Sequence, residues 1–100
     1  MSRAIYDAKL TPLGYEQITS LVTAAALTVP AHASLAIIQA TGQSVRWRDD
    51  GSNPTAAIGM TLAVGESLRY TGNLAAFKAI QTAATAVLNA SYYVGPLNQD

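Results

Sequence analysis

Arg46, Arg48, Asp49 and Asp50 crowd into five residues around the only Trp, Trp47, and run straight into the turn formers Gly51, Ser52, Asn53 and Pro54. Three kinds of chemistry use such residues. Two Arg on one strand face form a clamp for a carboxylate or another anion. Asp49, Asp50, Ser52 and Asn53 offer oxygens to calcium. Trp47 with Tyr70, Tyr92 and Tyr93 would make a platform for stacking a sugar ring. Each has a plainer counterpart. Arg46 and Arg48 would lie on a polar strand face and pair with Asp50, Glu66 or a neighbouring chain, where such pairs are common and individually weak. A calcium loop needs alternating ligands and a Glu at its twelfth position, and that pattern fails here. Asp50 and Asn53 then read as turn residues that bond their own backbone. Trp47 shares its face with Val45 and reads as core. Tyr92 and Tyr93 are adjacent, so on a strand one points to the core and the other to the rim or an interface. The plainer reading is preferred in each case.

The remaining residues add no reactive set. His32 is the only His and there is no Cys, whereas metal centres and catalytic triads draw on more. Ser44, Ser52 and Ser67 have no visible base, and no G-x-S-x-G elbow is present. Gly59, Gly65 and Gly72 punctuate the chain; a phosphate loop would need a following helix and Lys. The expectation is a non-enzyme with no cofactor and no metal.

Composition narrows the class further. A chain of 100 residues is one domain. Half of it is apolar, only 12% is charged and the net charge is zero, against about 25% charged residues in an average domain. Such a surface is poorly solvated and not kept apart by self-repulsion. That favours covering part of it with a partner, either another copy or a larger assembly. Nucleic acid needs clustered basic charge and is not expected. Residues 21–40 are too broken by Thr23, Thr28, Pro30, His32 and Ser34 to span a membrane, and no signal peptide is visible.

The elements that position these residues read as strands. Pro12 and Gly14 break residues 1–20, which read as an N-terminal arm or irregular edge segment with Tyr6 and Tyr15 among its anchors. Residues 21–100 form the single domain. Residues 21–29, ending at Pro30, read as a strand, although Ala24, Ala25 and Ala26 favour helix. Residues 35–49 read as a β-hairpin turning at Gly42-Gln43, with Val45 and Trp47 on one face and Arg46 and Arg48 on the other. Ile58, Met60, Leu62 and Val64 alternate with small residues and predict a strand over 57–64. Residues 67–71 form a short strand. Residues 74–84 set helix against strand; strand is preferred, with a short helical turn near 74–78 and Asn73 able to cap it. Residues 85–94 close the domain. About seven or eight short strands with frequent turns indicate an all-β sandwich, jelly-roll or immunoglobulin-like, whose strand order stays open.

The stretches Val45–Gly51, Asn53–Ala56, Ile58–Leu62, Gly65–Tyr70 and Leu88–Tyr93 also carry a resemblance. Their order resembles small structural virion proteins of tailed bacteriophages and prophages, over about residues 34–93. The resemblance implies a β-sandwich that decorates or cements a capsid, or joins head and tail parts. It implies a homo-oligomer, such as a trimer, docked on the major capsid protein or other virion proteins. It also implies residence in the virion after synthesis in the host cytoplasm, and carries no catalytic residues. Candidate interface residues are Arg46, Arg48, Tyr92, Tyr93, Tyr6 and Tyr15. Two rivals stand beside it: a carbohydrate-binding module using Trp47 and the Tyr residues, and a small cupin-like enzyme, which a lone His32 disfavours.

Overall fold

The computed structural model describes residues 10–95. Eight strands follow one another: β1 (Thr11–Ile18), β2 (Ala25–Ala26), β3 (Leu35–Thr41), β4 (Val45–Arg48), β5 (Met60–Leu62), β6 (Ser67–Tyr70), β7 (Lys78–Gln81) and β8 (Val87–Val94). They form two antiparallel four-stranded sheets, one ordered β1-β8-β3-β6 and the other β2-β7-β4-β5. The protein is an all-β sandwich. Its order follows from nested pairing: β1 with β8, β2 with β7, β3 with β6 and β4 with β5. A chain folded back on itself in this way and then wrapped into two sheets is a jelly roll, which decides between the two sandwich forms left open by the sequence.

Alternation sorts each strand into an inner and an outer row. Ala36, Ile38 and Ala40 of β3 face Leu88, Ala90 and Tyr92 of β8 in one inner row, and all six are buried. Val45 and Leu62 are partners across β4 and β5 and are buried from the other sheet. Each large side chain buried in this way stabilises the fold by roughly 1.5–3 kcal/mol. The two layers meet in an aromatic cluster. Trp47 of β4 stacks on Phe77 with ring centres 5.0 Å apart. Tyr70 of β6, in the opposite sheet, meets Trp47 and Phe77 edge-on at 5.8 Å and 5.1 Å. Phe77 is placed by a 3-10 turn, Leu74–Ala76, whose N-cap Asn73 accepts a hydrogen bond from the Ala75 N–H. The short helical turn and its cap are where the sequence placed them.

Several expected elements take another form. Residues 35–49 are not a hairpin: β3 and β4 lie in different sheets. The intervening turn is tied to the β7–β8 connection instead. The Thr82 N–H donates to the Ser44 carbonyl at 3.1 Å, and the two hydroxyls lie 2.8 Å apart. Gly42 adopts φ +79°, and a Cβ there would lie 2.3 Å from the Thr85 carbonyl oxygen. Only glycine fits that crossing. Of residues 21–29, only Ala25–Ala26 pair as strand, against β7. Leu21 and Leu27 are buried there as anchors of an irregular segment. Residues 57–64 shrink to the three-residue β5, because Gly59 at φ +141° bends the chain against the Trp47 carbonyl. Residues 11–18, read as arm or irregular edge, are a regular edge strand except for a bulge between Pro12 and Gly14. Proline lacks an N–H for the ladder, and an edge strand is where it is tolerated.

The aromatic cluster gives a stability test. Phe77→Ala empties a fully enclosed site and is expected to cost about 3–5 kcal/mol in chemical denaturation. Trp47→Ala removes a half-buried ring from the same stack, with an expected loss near the lower end, about 3 kcal/mol. Equal tolerance of both changes would show that the cluster does not hold the layers together.

Candidate functional site

The charged stretch singled out by the sequence sits where β4 leaves its sheet. Arg48, Asp49, Asp50, Gly59 and Met60 line a shallow open depression of about 260 Å³. Trp47 turns inward from here and packs against the core, so it is not part of the exposed surface chemistry.

Every charge in the stretch has an internal partner. Arg46 donates from Nε to the Ala56 carbonyl at 3.0 Å and from a terminal nitrogen to the Gly59 carbonyl at 3.1 Å. It thereby holds the loop between β4 and β5. Arg48 donates twice to Asp50, at 3.0 Å and 2.5 Å. Asp50 also accepts from the Ser52 N–H at 3.3 Å, the turn geometry expected of it. The Arg48 hydrogen bond holds the Asp50 carboxyl below its ordinary range, and the same bond keeps the guanidinium above its own. Asp49 accepts from the Tyr70 hydroxyl at 2.6 Å. Lys78 donates to Asn53 at 3.2 Å. An anion clamp needs free guanidinium donors, and both groups are already engaged. Among the described residues no three His, Cys, Asp or Glu side chains gather as a metal site would require.

The Tyr residues separate. Tyr92 is 1% exposed, with its ring in the core. It cannot serve as an interface residue, and this corrects its place among the candidates. Its hydroxyl donates to Glu16 of β1, and the Thr28 N–H donates to the same carboxylate oxygen at 2.7 Å. One carboxylate therefore ties β1, β8 and the segment after β2. Burial, and then Glu16, push the Tyr92 phenol well above its ordinary value. Tyr93 lies half-buried on the outer face of the sheet, bonded to Ser91 at 3.0 Å. Tyr15 stands on that face too, 63% exposed, and donates to Asn89 at 2.7 Å. Gln17 reaches the same Asn89 oxygen at 3.1 Å. Tyr6 falls outside the described residues. His32 is exposed, in a loop.

The sequence reading missed Glu16, the Asp49–Tyr70 bond and the Asn89 network. Only Glu16 carried a local signal: it shares the inward row of β1 with Ile18, an unusual place for a carboxylate. The other contacts join positions distant in the chain.

No protein-family model matches this chain, and neither the curated proteins nor the solved structures contain a match to it.

Two outcomes test the bonding. Arg46→Ala frees two loop carbonyls and is expected to cost about 1–2 kcal/mol, whereas Arg48→Ala breaks only an exposed pair and leaves the denaturation midpoint unchanged. The second concerns pH. Burial, reinforced by Asp49, pushes the Tyr70 phenol from 10.0 up to about 12. The folded state thus favours the neutral phenol, so its contribution is complete below pH 10 and is lost as pH rises towards about 12. Denaturant midpoints should fall over that window, and less steeply in Tyr70→Phe.

Proposed function

We propose that this chain is a non-enzymatic structural subunit of a phage particle, a decoration or cement protein that stabilises a shell by docking on it as a homo-oligomer. The observation that carries the reading is where the apolar side chains are left uncovered. Ile58, Met60 and Val64 are 57%, 61% and 55% exposed, all on or beside the edge strand β5. They sit on a chain with 12% charged residues and zero net charge. A surface of that kind is stabilised by a partner. The resemblance of residues 34–93 to small virion proteins supports the same conclusion. The jelly roll is compatible with it, since the fold builds capsid and lectin domains alike, but a fold by itself assigns no function.

A second reading has one observation in its favour. Tyr15, Gln17, Asn89, Ser91 and Tyr93 share an outer sheet face of amides, hydroxyls and aromatic rings. That chemistry suits a neutral glycan, with these Tyr residues in place of the core-packed Trp47. On a glycan array, reproducible binding that Tyr15→Ala abolishes in a folded protein would favour this module over the structural subunit.

The main reading is tested on particles banded by density from cells that produce the chain. The expected result is many copies of the chain per particle, retained through salt washing. Recovery of the chain only in the unassembled soluble fraction would overturn it.

A further inference from the structure

Among the described residues strand β5 ends its sheet, hydrogen-bonded only to β4, so along its other side alternate backbone N–H and C=O groups face outward. Exposed edges are normally blunted by Lys, Pro or other charge. Residues 55–64 contain no Pro and no charged side chain. The edge is also held in place. Arg46 grips the Ala56 and Gly59 carbonyls, and Thr55 and Ile58 exchange backbone bonds at 2.9 Å and 3.2 Å. The nearby Glu66 carboxylate is engaged by the Ala63 N–H at 2.9 Å.

We propose that the occupant of this edge is a second copy of the chain, with β5 pairing antiparallel to its own image about a twofold axis at Thr61. The inference rests on the assembly reading above and names the contact by which copies associate. Self-complementarity selects the occupant. An isologous contact sets each residue against a residue of the same patch. About Thr61, exposed Thr61 faces its own counterpart, a favourable cross-strand pair. Met60 faces the partner's Leu62. Met60 lies on the same face as buried Leu62 yet is 61% exposed. The image strand continues the apolar row from Leu62 through Met60 and covers it. No like charges meet anywhere along the pair, which an uncharged segment guarantees and a charged edge would not. The two four-stranded sheets then join into one.

Sedimentation equilibrium of the full chain tests the contact. The expected mass rises with concentration towards twice the 10.4 kDa of one chain. Thr61→Lys and Thr61→Glu each set like charges opposite one another at the axis and raise the dissociation constant about tenfold or more. Mixing the two variants restores the dimer, because Lys then faces Glu. Val22→Lys, at a site 74% exposed and away from β5, leaves association unchanged. Circular dichroism confirms that each variant is folded; if the Thr61 variants unfold, Met60→Lys and Met60→Glu take their place in the same mixing design. A wild-type chain that stays monomeric, or a dimer indifferent to these changes, overturns the edge contact. If the chain still bands with particles in that case, the structural reading stands and only the contact fails. If it does not, both fail.

Discussion

Trp47, Phe77 and Tyr70 come from three separate stretches of the chain and from both sheets, and the sandwich closes around their contact. A sandwich needs inner rows that interdigitate, and several inner positions here are small: Ala36, Ala40, Ala79, Ala86 and Ala90 are all buried. Small side chains let the layers approach but bury little area each. The three rings supply the bulk that those alanines lack, in offset and edge-on geometries that aromatic pairs favour. Their placement constrains much else. The capped turn at Asn73 aims Phe77, and Gly59 bends the chain against the carbonyl of Trp47. Asp49 satisfies the Tyr70 hydroxyl, which would otherwise be a buried donor without a partner.

Several polar groups follow one pattern. Where a charge or hydroxyl stands near the core it is tied to a distant segment, as Glu16 is to Tyr92 and Thr28. Where it stands at the rim it fastens a loop, as Arg46 does. The charges of the stretch from Arg46 to Asp50 thus work inside the subunit. What the surface offers outward is apolar on the β5 side and mainly polar on the face that carries Tyr15 and Asn89, where exposed Arg69 of β6 joins the same row.

Much of the architecture was legible because period-two alternation is local. The rows of β3, β4, β7 and β8 could be read from neighbouring residues, and so could the burial of Val45 against the half-buried Arg side chains on the opposite face. The Arg48–Asp50 pair and the turn at Asp50 were legible for the same reason, being two residues apart. Pairing was not. A turn at Gly42-Gln43 between two strands looks like a hairpin until the Ser44–Thr82 contact is known, and that contact spans more than a third of the chain. Alternation over 57–64 likewise implied a full strand, but a sheet edge leaves such a row uncovered, and Gly59 cuts it short. The sequence carried a role for Tyr92 and Tyr93 as a pair, and only the register against β3 tells which of them is core.

The nested order of the strands has a consequence for how the chain comes into being. Among the described strands only β4 and β5 are neighbours both in sequence and in a ladder; every other pairing joins segments far apart. On a ribosome, the β4–β5 pair can form as soon as it emerges, and the sheet around it waits for β7. The other sheet waits longer, because β8 lies between β1 and β3 and is translated last of the eight. Until then β3 has only β6 to pair with and β1 has no partner strand among the described residues. High contact order of this kind slows folding and prolongs the exposure of unpaired edges. Completion of the domain is therefore tied to the moment its last strand leaves the exit tunnel, and the vulnerable interval is the one just before it.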